Sequence, residues 1–165
     1  MRHTIRILIQ EDWPAVKRIY EAGLATGLAT FETEVPSYDE WTNQAPPGCR
    51  IVLEEQQQIL GWCKLSYVSS RKVYEGVGEV SVYVDSAYKG KGIGNELLQA
   101  LIQISEQEGF WTLQASIFPE NHASLQLHLK NGFREVGRRE RIGKLDGVWR
   151  DTILLERRSQ VNGMK

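Results

Sequence analysis

The chain has 165 residues, the length of one domain, and Lys plus Arg (20) nearly balance Asp plus Glu (21). A net charge of −1 excludes a dedicated nucleic-acid or polybasic membrane binder, and 41% hydrophobic with 25% charged residues fits a globular protein with a core. Two cysteines, Cys49 and Cys63, make no disulfide framework, and without CxxC, HExxH or a histidine cluster no metal site is expected.

Residues 2–9 read as a first strand, too short an apolar run for a signal peptide, so a cytoplasmic setting is the expectation. No apolar stretch is long enough to cross a membrane. Asp12 is expected to cap a helix that has Pro14 in its first turn and Val16, Ile19 and Tyr20 on its apolar face. Gly23 to Pro36 reads as a helix end and a loop. Ser37 with Glu40 fits a capping box for a short helix through Trp41, which Pro46-Pro47-Gly48 ends.

Strands are predicted at about 50–55 and 58–68, joined near Gln56-Gln57. Another at 78–84 alternates Val80, Val82 and Val84 with Glu79, Ser81 and Tyr83. A glycine-rich turn opens a helix over about 92–107, with Leu97, Leu98, Leu101, Ile102 and Ser105 inward. Then come a strand at 111–117 and a helix at 121–130 ended by Asn131-Gly132. Strands at about 133–141 and 148–157 are predicted to pair around Asp146-Gly147, and a polar tail spans 159–165. The order implies one α/β (mixed α+β) domain over 1–165, a mixed sheet flanked by helices.

The segment Lys89-Gly90-Lys91-Gly92-Ile93-Gly94-Asn95 joins a strand to a helix. Unpaired N–H groups at the positive end of a helix dipole bind phosphate, and glycines let the anion come close. It is neither a Walker A loop nor GxGxxG, and alone it also fits a tight turn without a ligand. Glu79 fits a general base or a strand glutamate paired elsewhere. His128 fits an acid–base group near neutral pH or a packed helix histidine. Ser124 and His128 stand four apart, but no GxSxG elbow supports a hydrolase. His3 and His122 read as histidines with a structural role only.

Lys89, Gly92 and Gly94 fall where the acetyl-CoA signature Q/R-x-x-G-x-G/A of the GNAT superfamily of N-acetyltransferases places its residues, with Lys replacing Arg or Gln. Asn121 through Phe133 resembles the second signature, N-x-x-S-x-x-L-Y/H-x-x-x-G-F. Thr30-Phe31-Glu32-Thr33, the stretch Arg71 to Val84 and Gly147-Val148-Trp149-Arg150-Asp151 resemble segments of the phosphinothricin acetyltransferase family. The resemblance covers about residues 3–157.

It implies a GNAT-like acyl-CoA N-acyltransferase fold with a mostly antiparallel sheet. It further implies acetylation of the α-amine of a small amino acid such as phosphinothricin, methionine sulfoximine or methionine sulfone, with acetyl-CoA as co-substrate. Glu79 and His128 are carried over as catalytic residues. Val82, Tyr83 and Val84, residues 89–95, Asn121 and Ser124 are carried over as the acetyl-CoA site. Phe31, Glu32, Arg71, Tyr74, Glu75 and Trp149 are carried over as the amine pocket, with Arg71 positioned to hold an acidic group by a bidentate pair. The backbone of Val82–Val84 is a candidate oxyanion donor. A homodimer is implied. Acetylation of a protein N-terminus or another small amine, and a CoA-binding sensor without catalysis, are the competing readings.

Overall fold

The computed structural model describes residues 2–165. Seven strands form one sheet in the order β1-β2-β3-β4-β5-β7-β6. They are β1 (Thr4–Ile7), β2 (Arg50–Glu55), β3 (Gln58–Tyr67), β4 (Val77–Val84), β5 (Thr112–Ile117), β6 (Arg134–Leu145) and β7 (Val148–Arg158). The helices are α1 (Trp13–Ala25), α2 (Tyr38–Thr42), α3 (Ile93–Gln107) and α4 (His122–Lys130). Every strand pair is antiparallel except β4 with β5. The α/β expectation and the element order both hold.

Strand alternation sends apolar residues to two cores. On one face Ile51, Leu53, Cys63, Leu65 and Val80 pack against Leu97, Leu98 and Leu101 of α3. On the other, Val52 and Trp62 pack against Val16, Ile19 and Tyr20 of α1 and Trp41 of α2. A bulge opposite Leu53/Glu54 inserts one residue in β3, so that Leu60 and Gly61 both face the α3 core and the alternation changes phase there. Both cysteines are fully buried and free, and Cys63 Sγ points at the Leu97 carbonyl, 3.5 Å away. Burial pushes the Cys49 thiol up to about 12 and the Cys63 thiol well above its ordinary value.

Local sequence signals explain several boundaries. The Ser37 hydroxyl accepts from Glu40 N–H at 3.2 Å and so caps α2; it also donates to the Glu40 carboxylate at 3.0 Å, a side-chain bond in place of the backbone bond that would complete a capping box. Asp146 (φ 50°) and Gly147 (φ 80°) make the left-handed turn of the last hairpin, and β6 runs on to Leu145, past the expected end. Asp12 departs from expectation. It does not cap α1; its carboxylate accepts from Ile9 N–H at 2.9 Å and pairs with Arg6 at 2.7 Å. Burial works to raise its pKa, but the bonds from Arg6 and Ile9 outweigh this and hold it below the ordinary value.

Candidate active site

The parallel pairing of β4 with β5 covers only Val77–Glu79 against Thr112–Gln114. Beyond Glu79 the two strands diverge, and the β4 edge from Val80 to Val84 has no strand partner on that side. Residues of both strands, Ser81, Val82 and Tyr83 against Ala115, Ser116 and Ile117, line the resulting cleft of about 440 Å³. The closed end of this fork is held by the Gly76 carbonyl, which accepts from Trp111 N–H (2.8 Å) and Thr112 N–H (3.1 Å).

Glu79 stands at the branch point. It accepts a bond from Gln114 Nε2 at 3.1 Å and lines both the cleft and a neighbouring hollow of about 300 Å³. The two spaces share Ala29, Thr30 and Ser116 as well. Glu32, from the loop after α1, also lines the cleft, where its carboxylate accepts from the Tyr20 hydroxyl at 3.0 Å. Phe31 lines the second hollow, with its ring 4.9 Å from that of Phe118 and packed on Gly143, where a Cβ would sit 3.1 Å from it.

At the mouth of the fork, Gly90 (φ 79°) and Gly92 (φ 82°) take left-handed backbone, with open space where a Cβ would be. The first α-helical bond of α3 runs from Glu96 N–H to the Gly92 carbonyl, so the N–H groups of Ile93, Gly94 and Asn95 have no acceptor within the helix. Lys89 and Lys91 are exposed beside them. This cradle fits the pyrophosphate of a CoA thioester: amides, dipole and two cations converge on one turn. The divergent β4 edge offers backbone groups to an extended arm in the same way.

Several expected site residues have other engagements. The Tyr83 ring is stacked on Trp62 (4.7 Å, 8°) and tilted on Tyr20, which leaves mainly its backbone to the cleft. The Asn95 side-chain oxygen Oδ1 accepts from Asn131 Nδ2 at 2.9 Å, tying α3 to the end of α4. Asn121 caps α4 by accepting from Ser124 N–H (3.2 Å) and ties down the preceding loop by donating to the Leu28 carbonyl (3.1 Å). Asn121 and Ser124 both border the cleft.

His128 is 3% exposed, packs edge-on against Phe133, and donates Nδ1–H to the Ser124 carbonyl at 2.7 Å. Burial lowers its pKa, against the opposing effect of the Ser124 bond, so the ring is neutral at pH 7 and Nε2 carries a buried, unpartnered lone pair.

Arg71, Tyr74, Glu75 and Trp149 are not brought to the cleft. Arg71 lies over the Tyr74 ring on the surface, and Arg71 and Glu75 border a separate hollow with Tyr67 and Val68. Trp149 is exposed under Lys144. Conversely, Lys64, Gln44 and Tyr20 line the cleft without having been expected there. Tyr20 carried no signal beyond helical core spacing. Lys64 carried one: a lysine inside an otherwise apolar strand.

A sheet forked beside a glycine-rich helix N-terminus, with a carboxylate at the branch, is the architecture of an acyl-CoA-dependent acyltransferase. Residues 6–133 match the model of the acetyltransferase (GNAT) family, and the chain belongs to that family. It is 33% identical over 164 residues to a phosphinothricin N-acetyltransferase of Alcaligenes faecalis, covering 93% of this chain and 81% of that protein. It is 28% identical over 162 residues to an L-methionine sulfoximine/L-methionine sulfone acetyltransferase of Pseudomonas aeruginosa, covering 94% of each. A crystal structure of a phosphinothricin acetyltransferase from Sinorhizobium meliloti in complex with acetyl-CoA superposes with a TM-score of 0.89 at 26% identity, over 100% of this chain and 92% of that one. The chain is an acetyl-CoA-dependent acetyltransferase.

Proposed function

We propose that the enzyme transfers the acetyl group of acetyl-CoA to the α-amine of a small amino acid of the phosphinothricin, methionine sulfoximine or methionine sulfone type, directly and within a ternary complex. The observation that carries this reading is Glu79 at the branch of the fork, where the unpaired edge of β4 meets the space lined by the Phe31–Glu32 loop. Acetyl-CoA supplies the activated acyl carbon. The amides of Ile93, Gly94 and Asn95, with Lys89 and Lys91, bind its phosphates, and the backbone of Val82–Val84 orients the thioester end.

Glu79 accepts the proton of the acceptor ammonium, and Gln114 holds its carboxylate in place. His128 has a positioning part: its bond to the Ser124 carbonyl fixes the helical turn that borders the cleft. Arg71, Tyr74, Glu75 and Trp149 lie outside the cleft of a single chain. A cytoplasmic homodimer completes the reading, since Val73, Tyr74, Val148 and Trp149 are exposed side chains that a second copy would cover.

The spaces beside Glu79, of about 440 and 300 Å³, suit a free amino acid better than a protein N-terminus. Release of CoA thiol with phosphinothricin, methionine sulfoximine, methionine sulfone, ordinary amino acids and an N-terminal peptide tests this. Turnover confined to the peptide, or binding of acetyl-CoA without turnover of any amine, overturns it. Glu79→Gln is expected to lower kcat/KM by about 100-fold or more with the acetyl-CoA affinity retained; an unimpaired variant removes Glu79 from the base role.

A further inference from the structure

Lys64 is 4% exposed in the middle of β3, between Cys63 and Leu65, whose side chains serve the opposite core. It lies directly across from Ser81 of β4, one pleat from the Ser66–Glu79 pair, and lines the same cleft as Glu79. Its ammonium donates to the side-chain carbonyl of Gln44 and sits 4.8 Å from the centre of the Trp41 ring. Gln44 is itself fixed, because its backbone carbonyl accepts from Tyr67 N–H at 2.8 Å.

No carboxylate pairs with Lys64 among the described residues. Glu32 and Glu79 act on it only through space, and Arg50 opposes them. A buried ammonium held by one amide and one ring is incompletely compensated. Desolvation accordingly lowers its pKa to about 8. Lys64 lines the cleft, so the anionic group of a ligand entering there would complete its compensation. Arg71, the cation expected to hold such a group, stands in a different hollow.

The geometry points to Lys64 as the residue that binds the carboxylate of the amino-acid acceptor, while the acceptor's amine faces Glu79. The cleft then matches a zwitterion, with Glu79 toward the ammonium end and Lys64 toward the acid end. This assignment rests on the amino-acid reading above and specifies which residue selects for it. The charged and titratable groups around the lysine are Arg50 on β2, Glu79 on β4, Glu32 on the loop, and Tyr20 and Tyr83 in the same cleft wall. Carboxylate binding raises the lysine's proton affinity, so binding at pH 8.5 takes up a proton.

The test compares the full-length enzyme and Lys64→Met on L-methionine sulfone and on 3-(methylsulfonyl)propan-1-amine, the same molecule without its carboxylate. Wild type is expected to prefer the amino acid, and the ratio of kcat/KM values is expected to fall about 30-fold or more in Lys64→Met. Titration calorimetry with 4-(methylsulfonyl)butanoate, which lacks the amine, reads the site without turnover. Wild type is expected to bind it with heats that depend on the buffer at pH 8.5, and Lys64→Met to bind it weakly with no proton uptake.

An unchanged ratio with turnover of both acceptors overturns the assignment. So does butanoate binding of equal strength in the two proteins, or no proton uptake or no binding in wild type. If wild type acetylates neither compound, the methionine sulfone acceptor reading fails and the calorimetry alone decides Lys64.

Discussion

Asn121 performs two separable tasks with one amide: its oxygen caps α4 and its nitrogen holds the Leu28 carbonyl. Asn121→Ala removes both. Loss of the cap costs about 1 kcal/mol, and loss of the bond to Leu28 costs about another 1 kcal/mol. For a domain of this size each kcal/mol is about 2–4 °C of melting temperature, so Asn121→Ala is expected to melt about 4–8 °C below wild type. Asn121→Asp keeps the oxygen, gains from the helix dipole and loses only the donor, so its deficit is expected to be about half as large or smaller.

Both variants release the segment after Leu28, and Ala29, Thr30 and Glu32 line the cleft. Both are therefore expected to raise KM for the acceptor more than they lower kcat. Calorimetric melting and steady-state kinetics on the three proteins decide the matter. An Asn121→Asp protein as unstable as Asn121→Ala, or an Asn121→Ala protein that melts with wild type, refutes the division of labour.

The closed end of the fork can be tested by overpacking it. A Cβ on Gly76 would lie 2.0 Å from Trp111 Cε3, so Gly76→Ala is expected to cost about 1–3 kcal/mol and to lower kcat/KM by disturbing Glu79. Adding Trp111→Leu should restore part of both, and a double variant no better than Gly76→Ala would count against steric crowding as the cause. Stability should also respond to acid through His128. Its folded pKa lies below the ordinary 6.5, so the unfolded chain binds the extra proton and stability is lost as pH falls below about 6.5. Denaturant titrations between pH 7.5 and 5 should show a shallower slope for His128→Leu than for wild type; equal slopes would assign the effect to other groups.

Much of the fold was legible because its signals are local. The Ser37 and Glu40 pair, the Asp146-Gly147 turn and the αL glycines at 92 and 132 each declare a boundary within four residues of chain. Glu79 and the 89–95 turn were legible because neighbouring elements place them. Asp12 was misread because its carboxylate turns back to Arg6 on β1 and to Ile9 N–H instead of forward to the first turn of α1. The Gln56-Gln57 turn adopts positive φ at both residues without glycine or asparagine, so composition could mark the place but not the geometry.

The acceptor pocket was least legible. Whether Arg71 or Lys64 faces the cleft depends on where the β3–β4 connection lies relative to α2, which no spacing encodes. Trp149 looks like core by type, yet β7 lies between β5 and β6 and its first residues extend beyond the β5 pairing, which leaves the ring outside.

The burial of Cys49 and Cys63 has a chemical consequence for an enzyme that handles thioesters. A thiolate near acetyl-CoA would capture the acyl group by transthioesterification and leave the protein acetylated on sulfur. Only the thiolate attacks, and both thiols are held fully buried with strongly raised proton affinity, Cys63 on the side of β3 that faces α3. The sheet thus separates the protein's own sulfur nucleophiles from the sulfur ester it consumes, and leaves the acceptor amine without an internal competitor.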